Sequence, residues 1–416
     1  MDKTQLLAKM INDLESLKHP TYGYLFAGGK DFRWLFGRDS IITSLMLLNA
    51  RIGNAPEIAR NTLKILASLQ GKRHNWKSEE QPGKILHEHR EFEWQVSQIP
   101  FWEFPYYGTV DATPLFIILA HKYAAATDDW DFVEEIWPNL EAAAAWMKYY
   151  GDTDGDYFIE CKSLNPRGIR NQCWKDHTPF CFEPEYPVNF VEVQGYAYLA
   201  YKFMSEMSAH FNGQWREYYQ NAEAIRYNFN ARFWDENVGA FALALDAKKK
   251  RINAATSSQG HLLFTGIIND PEKMNACAER LFQPDLCTPY GIRTLSDKEP
   301  CFGDYLYHLG SIWIMDNWMI YYGLKNFAYT HPFDRTKNFN GKIKARLLKE
   351  SLLNTACLLS GAPELHASVN GTLKTTDTVA GWGTKPANHV QAWSAAAILD
   401  LLCEDLTEEE RKRIVI

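Results

Sequence analysis

The sequence predicts an all-α protein, a closed (α/α)6 toroid in which six helical hairpins form a twelve-helix barrel with long loops at one end. Three observations support this prediction. Apolar residues recur at helical spacing along most of the 416 residues, and strand-like runs are few and short. The predicted helices mostly follow one another as pairs joined by short turns. Longer segments, which hold much of the glycine, proline and tryptophan, connect one pair to the next.

Twelve helices are expected from this periodicity and from local start signals. Asp131, and Asp270 followed by Pro271, are typical of helix starts, because a carboxylate caps free N–H groups and proline suits the first turn. The expected helices span 3–17, 39–52, 55–69, 110–127, 130–149, 189–209, 213–233, 256–268, 271–283, 309–328, 341–360 and 389–403.

Five long loops separate the predicted hairpins, near 70–108, 150–188, 234–255, 284–308 and 361–388. Loops of this length are uncommon in a compact domain unless they are functional, so the loop end of the ring is expected to carry the site. An open solenoid would show a self-similar repeat of about 35–45 residues, and the hairpins here differ from one another. Two helical domains are a further alternative. Without a low-complexity linker, one domain over residues 1–416 is favoured.

Composition excludes several classes of protein. The chain is 46% hydrophobic and 14% aromatic, which is ample for a large core. Its net charge of −7 argues against a nucleic-acid binder, and the basic run KKKR at 248–251 is expected to be a solvated loop. No apolar run approaches the roughly 18 residues of a membrane helix. The N-terminus lacks the apolar region of a signal peptide.

A cytoplasmic location is therefore expected, with the eight cysteines reduced and mostly buried. None of the cysteines is spaced CxxC. The chain also lacks the GxSxG, GxxxxGK[ST], GxGxxG and HExxH motifs. His87 and His89 lie two residues apart without an evident third ligand, so no metal site and no cofactor are expected. Cys173 near His177 is interpreted as a bystander rather than a nucleophile.

Acidic residues beside aromatic residues or arginines recur in the predicted loops and at their edges. Aromatic faces stack on the C–H faces of sugars, and arginine–aspartate pairs hydrogen-bond vicinal hydroxyls. The pattern therefore predicts a carbohydrate site. The residues that form it are Trp34, Arg38, Asp39, Glu88, Arg90, Asp111, Trp174, Lys175, Asp176, Glu192, Gln194, Arg293, His308, Trp313, Asp316 and Glu364.

Glycoside hydrolysis needs two carboxyls on opposite sides of the scissile bond. Asp176 follows Trp174 closely, and an acid held against an indole stays protonated near neutral pH. Lys175 would oppose this effect if it faced the carboxylate, so we expect it to contact substrate instead.

Each of these residues also has a simpler interpretation. Asp111 and Glu192 precede or begin helices and are equally well explained as caps or first-turn acids. Asp39 is a possible first-turn acid, His308 a packed core histidine, and Asp316 the partner of a neighbouring base. For Asp176 and Glu364 the simpler interpretation is a solvated loop acid.

From about residue 20 to residue 403 the chain resembles the amylo-α-1,6-glucosidase domain of glycogen-debranching enzymes, among the (α/α)6 glycosidases. The resemblance rests on blocks that occur in the family's order. They are FGRDSIIT, GKILHEHR, YYGTVDATPLF, NQCWKD, VEVQGYAY, GIRTLS, YHLGSIW, PEL and QAWSAAAILDLL. The chain departs from the family at Cys173 and His177, where Gly and Ser are usual, and it has no room for the family's separate glucanotransferase domain.

The resemblance implies specific roles for residues of the site. Asp176 becomes the general acid and Glu364 the general base, with Asp377 as an alternative base. Arg38 and Asp39 become the pair that holds the non-reducing glucose. The residues implied as further pocket lining are Trp34, Trp174, Lys175, His308, Trp313 and Trp393.

The predicted function is that of an inverting, exo-acting glycoside hydrolase that cleaves α-glucosidic bonds in oligosaccharides or glycogen-derived glucans. Inversion would place the two carboxyls roughly 6.5–9.5 Å apart. One alternative is a hydrolase of another small glycoside, such as trehalose, mannosylglycerate or glucosylglycerate. A sugar-binding pseudoenzyme is the other. A sugar is the expected partner, without nucleic acid or membrane, and the sequence leaves the oligomeric state open.

Overall fold

The computed structural model describes residues 1–29, 32–92, 96–97, 99–176, 182, 184–330, 341–375 and 387–416, with the side chains of 327–330 excepted. The α-helices of this part of the chain are α1 (Lys3–Ser16), α2 (Gly37–Ala50), α3 (Ala55–Ser68), α4 (Ala112–Thr127), α5 (Trp130–Glu135), α6 (Trp137–Trp146), α7 (Val191–His210), α8 (Trp215–Arg232), α9 (Gly260–Thr265), α10 (Pro271–Leu281), α11 (Ile314–Thr330), α12 (Gly341–Leu359), α13 (Ala392–Cys403) and α14 (Glu408–Arg413).

Six helices form a closed inner ring in the order α2, α4, α7, α9, α11, α13, and α13 packs back against α2. These helices are apolar around most of their circumference, and α13 is buried at every residue, as expected for helices surrounded by protein. The outer helices α3, α6, α8, α10 and α12 each pack on the inner helix nearest in sequence, while α1 packs on α13. The predicted (α/α)6 toroid is confirmed.

Some helix boundaries differ from the prediction. The expected helix 130–149 is interrupted between α5 and α6, because Pro138 at the start of α6 has no N–H to continue the preceding turn. Its cap is Asp129, which accepts the N–H of Phe132, rather than Asp131. Asp270 caps α10 as predicted. Helix α14 was not predicted, since it has no buried residue and hence no apolar periodicity.

Short strands tie the loops to the starts of the inner helices. They are β1 (Leu35–Phe36), β2 (Glu88–His89), β3 (Asn189–Phe190), β4 (Trp234–Asp235), β5 (Ala240–Phe241), β6 (Ala244–Leu245), β7 (Arg251–Ile252), β8 (Cys287–Thr288), β9 (Gly291–Ile292), β10 (Ile312–Trp313), β11 (Leu365–Val369) and β12 (Thr372–Thr375). Their pairings are antiparallel: β1–β2, β4–β5, β8–β9, β3–β6–β7 and β10–β11–β12. Because β1, β3 and β10 lead directly into α2, α7 and α11, these ladders fix the loop end of the ring.

The cysteines only partly follow the prediction. Cys161, Cys173, Cys277 and Cys403 are free and buried. Cys301, however, is disulfide-bonded, so the expectation that every cysteine is reduced is wrong at that position. No helix in the described part of the chain has the length and apolar character to cross a membrane.

Lys249 is not solvated as the KKKR interpretation predicted. Its Nζ lies 2.9 Å from Asp154 and 3.0 Å from both Asp156 and Glu160. Its side chain is 21% exposed, whereas that of Lys248 is 74% exposed and pairs with Glu185 at the surface. Lys249 is thus the shared cation of an acidic cluster.

Replacing Lys249 by Met is expected to lower the free energy of unfolding by about 1–3 kcal/mol, because three carboxylates lose their common cation. Lys248→Met is the matched control and is expected to change it by less than about 0.5 kcal/mol. Urea unfolding followed by tryptophan fluorescence measures both. Equal effects of the two substitutions would contradict the structural role of Lys249.

Candidate active site

A buried guanidinium lies at the centre of the loop end. Arg38 is in the first turn of α2 and is 3% exposed. Its Nε donates to Oδ2 of Asp111 at 2.8 Å, and its Nη1 lies 3.5 Å from Oδ2 of Asp176. Burial acts to lower the pKa of Arg38, but Asp111, Asp176 and Asp39 together raise it above its ordinary value. One cation therefore faces three carboxyls.

Asp111 serves this cation rather than the helix that it precedes. It is the N-cap residue of α4, yet its side chain makes no capping hydrogen bond. Instead, Oδ1 accepts the hydroxyl of Thr109 at 2.6 Å while Oδ2 accepts Arg38. Of the two interpretations left open by the sequence, capping is therefore excluded for Asp111.

Asp39 follows Arg38 and is also buried. Nε2 of Gln391 lies 3.5 Å from Oδ1 of Asp39, so the last inner helix contacts the first at this point. Burial raises the pKa of Asp39 to about 7, Arg38 opposes this, and the charges of Asp176 and Glu364 add to it. Asp39 thus lies within electrostatic range of both proposed catalytic carboxyls.

Asp176 has the properties predicted for a general acid. Burial raises its pKa to about 7; Arg38 lowers it, and Asp111 and Glu364 raise it further. Its side chain remains 18% exposed, whereas that of Asp111 is 0% exposed. Asp111 is engaged by Arg38 at 2.8 Å, and Asp176 is the more accessible of the two carboxyls.

Glu364 lies on another loop, just before β11. Its Oε1 accepts the hydroxyl of Tyr307, and its Oε2 accepts the backbone N–H of Asn388 at 3.0 Å. The backbone N–H of Glu364 in turn donates to the carbonyl of Asn388 at 2.8 Å. These contacts fix a carboxylate that is 3% exposed.

Aromatic rings connect the two carboxyl loops. Trp174 lies edge-to-face with Trp313 at 5.9 Å, and Trp313 does so with Trp393 at the same distance. His308 stacks on Trp313 at 5.0 Å, and Tyr307 contacts Trp313 at 4.7 Å. Trp174, Trp313, Trp393 and His308, which the sequence named, thus form one aromatic wall together with Tyr307.

Trp34, Glu88 and Arg90 form a second cluster beside Arg38. Strand pairing sets Glu88 opposite Phe36, two residues before Arg38. The indole N–H of Trp34 donates to Glu88 at 2.5 Å, and the guanidinium of Arg90 lies 4.2 Å from the Trp34 ring centre. Burial raises the pKa of Glu88, while Arg90 and Trp34 lower it.

Four predicted residues contact protein atoms rather than lying with the carboxyls. Nζ of Lys175 donates to Oγ of Ser257 at 3.1 Å and to the carbonyl of Thr294 at 2.8 Å. Gln194 is bonded to the backbone of Ile159 and Phe190. Arg293 pairs with Asp297 and Asp304. Asp316 accepts Nε2–H of His261 at 2.8 Å, so it is the partner of a neighbouring base, as one interpretation proposed.

Glu192 is a different case. It lies in the first turn of α7, is 0% exposed, and neither carboxyl oxygen has a hydrogen-bond partner within the described residues. Burial raises its pKa, and His261 opposes that effect. It is therefore a first-turn acid without a cap, as one of its two interpretations held.

The sequence analysis missed Tyr307, Gln391, Thr109 and His261. Tyr307 precedes the singled-out His308, and Gln391 opens the QAW block, so both lay within recognised motifs. Thr109 is two residues before Asp111. His261 lies in a plain apolar stretch, GHLLF, that carries no local signal. Asp377 and His177 lie outside the described residues.

A domain known from other proteins matches part of this chain. Residues 169–363 match the model of the mannosylglycerate hydrolase MGH1-like glycoside hydrolase domain. A search of curated proteins gives no match. This domain match makes the chain an enzyme of the glycoside hydrolase class. The match does not extend to the amylo-α-1,6-glucosidase family, and the resemblance of this chain to that family stays a prediction.

Solved structures share the fold over nearly the whole chain. A GH63 mannosylglycerate hydrolase from Thermus thermophilus in complex with Tris has a TM-score of 0.69 at 14% identity, covering 95% of this chain and 99% of that one. Its complex with Tris and D-glycerate gives 0.67 at 15% identity, with the same coverage. A structure described as a wild-type glycosidase gives 0.66 at 13% identity, covering 99% and 97%. At these identities the likeness shows the fold alone.

The raised pKa of Asp176 predicts an effect on stability. Its folded-state pKa of about 7 exceeds the ordinary 3.8, so the folded state is progressively disfavoured as pH rises from about 4 to 7, fully above 7, and not at all below about pH 4. Asp176→Asn is expected to raise the free energy of unfolding by about 1–3 kcal/mol at pH 8, and by less at pH 5. Urea unfolding at both pH values measures the difference.

Asp285 provides the opposite control. Although burial acts to raise its pKa, hydrogen bonds from Arg280 and Ser296 lower it to about 2. Its ionised form therefore stabilises the fold above pH 4, and Asp285→Asn is expected to destabilise the protein at pH 8. Destabilisation by Asp176→Asn at pH 8 would contradict the assignment of a strained carboxyl.

Proposed function

We propose that the protein is an inverting hydrolase of a small α-glycoside, with mannosylglycerate or glucosylglycerate as the favoured substrate class. Asp176 is the general acid and Glu364 the general base. The observation that carries the proposal is the pairing of a carboxyl that stays protonated near neutral pH with a second, hydrogen-bonded carboxylate on another loop.

Asp176 supplies the proton for the departing oxygen. A general acid works best when its pKa lies near the working pH, and the value of about 7 meets this condition. Its partial exposure of 18% leaves it accessible to a substrate, unlike Asp111. Arg38 limits the rise in its pKa, which keeps the proton transferable.

Glu364 activates the attacking water. Tyr307 and the backbone N–H of Asn388 each donate to one of its oxygens and so fix the carboxylate plane. In an inverting reaction this carboxylate takes a proton from water as the oxygen of that water bonds to the anomeric carbon, while Asp176 protonates the leaving oxygen on the other face.

Arg38 lies 3.5 Å from Asp176, and the charges of Asp176 and Glu364 both act on Asp39, so Arg38 and Asp39 suit the sugar that is transferred. A guanidinium and a carboxyl side by side bind adjacent hydroxyls, and the aromatic wall provides faces for C–H groups. The match of residues 169–363 to the MGH1-like domain supports a small glycoside, and D-glycerate is named in the complex of one structural neighbour. The ordered sequence blocks favour α-1,6-glucosidase activity as the second candidate.

A panel of glycosides separates these substrate classes. Cleavage of α-mannosylglycerate or α-glucosylglycerate is expected to exceed cleavage of panose, isomaltose, maltose and trehalose in kcat/KM, measured as released monosaccharide. Preferential glucose release from panose and isomaltose would replace the proposal with the α-1,6-glucosidase. A folded protein that binds these sugars without cleaving any of them would be a pseudoenzyme.

Substitution of the two carboxyls tests their roles. Asp176→Asn and Glu364→Gln are each expected to lower kcat by about 10²–10⁴-fold on the preferred substrate. In the wild type, kcat/KM is expected to fall as pH rises through about 7, because Asp176 loses its proton. Proton NMR of the first sugar released should show the β anomer. Release of the α anomer would contradict inversion.

A further inference from the structure

The two residues that precede Asp176 are both held by one short segment, Ser257–His261. Oγ of Ser257 accepts the ammonium of Lys175 at 3.1 Å. The imidazole of His261 lies parallel to the indole of Trp174, with ring centres 5.6 Å apart and planes at 13°. The segment therefore contacts the chain at the two positions that set the direction of Asp176.

The plane of His261 is itself fixed at both edges. Its Nε2 lies 2.8 Å from Oδ1 of Asp316, and its Nδ1 lies 2.5 Å from the hydroxyl of Tyr196. Each ring nitrogen of His261 therefore has its own hydrogen-bonding partner, one a carboxyl and the other a hydroxyl. Tyr196, His261 and Asp316 are 0–1% exposed, which places them behind Trp174 rather than in contact with solvent.

Within the part of the chain that the structure describes, the Trp174 indole has no hydrogen-bonding partner to anchor it, whereas the N–H of Trp313 donates to the carbonyl of Tyr307 at 2.7 Å. The orientation of the Trp174 indole thus depends on its ring neighbours and on the Lys175 ammonium, 4.9 Å from the ring centre. Lys175 is pinned a second time by the carbonyl of Thr294.

We propose that His261 and Lys175 are positioning residues that aim Asp176 at the leaving-group oxygen, His261 through Trp174 and Lys175 through its bonds to Ser257 and Thr294. This role rests on the proposed function of Asp176. A displacement of about 1 Å at a catalytic group is enough to lower the rate about 10²-fold. Substitution of a residue that only supports the core would instead lower the rate on every substrate alike.

The leaving group separates these possibilities. An O-glycoside needs a proton on its departing oxygen, whereas an α-glycosyl fluoride loses fluoride ion without one. In both reactions water adds to the anomeric carbon and gives a proton to Glu364. If Asp176 is no longer directed at the leaving-group oxygen, hydrolysis of the O-glycoside therefore slows, whereas hydrolysis of the fluoride does not.

The experiment uses the full chain with His261→Phe and Lys175→Met, the preferred O-glycoside, and α-D-mannosyl and α-D-glucosyl fluoride. His261→Phe keeps a flat ring and removes both anchors. For each variant kcat on the O-glycoside is expected to fall about 10–100-fold, and kcat on the fluoride by less than about 3-fold. Asp176→Asn provides the reference pattern. Equal losses on both substrates, or no loss on either, would overturn the positioning role.

His121→Phe is the matched control. His121 also stacks on an aromatic ring, Phe203, with ring centres 3.7 Å apart, and pairs with Glu206; among the described residues these partners lie outside the carboxyl loops. It is expected to leave both rates unchanged. Circular dichroism reports folding, and Lys175→Met decides the matter if His261→Phe does not fold. A wild type inactive on O-glycoside and fluoride alike would overturn the proposed function, and this role with it.

Discussion

The site depends on one buried cation shared by three carboxyls. If Arg38 were absent, the three carboxyls of Asp39, Asp111 and Asp176 would lie together with no opposite charge. Burial alone strongly disfavours ionised carboxyls. With Arg38 present, Asp111 accepts short hydrogen bonds from Arg38 and Thr109. The remaining charge is too small to ionise the others fully, and the pKa values of Asp39 and Asp176 stay near 7. The proton that the proposed acid catalysis needs thus follows from the balance of charges around Arg38.

The ring explains why so many acids gather in one place. Asp39, Glu192 and Asp316 lie in the first turns of inner helices, and Asp111 is the residue just before another. Helix N-termini carry unsatisfied N–H groups and partial positive charge, which favours carboxylates there. A closed ring of parallel inner helices brings several such ends to one face. The strand pairs β1–β2 and β10–β11 then hold the loops that bring Glu88 and Glu364 to the same face.

The sequence predicted the twelve barrel helices because helical periodicity is local, and it predicted the acids beside aromatic rings because motifs are local too. It failed where a contact joins distant positions. Tyr307 reaches Glu364 across 57 residues, and His261 reaches Tyr196 across 65. The burial of Lys249 likewise depends on ion pairs with acids about 90 residues earlier in the chain. Pairings of this kind are fixed by the packing of the ring, which no single stretch of sequence specifies.

In this site, the residue that sets the pKa of Asp176 differs from the residues that orient its side chain. Asp176 touches Arg38 at 3.5 Å, a contact that tunes its charge but holds its direction weakly. Direction must then come from the chain before it, where Trp174 and Lys175 are fixed by contacts with no free carboxyl among them. Keeping the ammonium of Lys175 on Ser257 and Thr294 also removes a positive charge that would lower the pKa of Asp176. The same lysine therefore anchors the acid and leaves its proton in place.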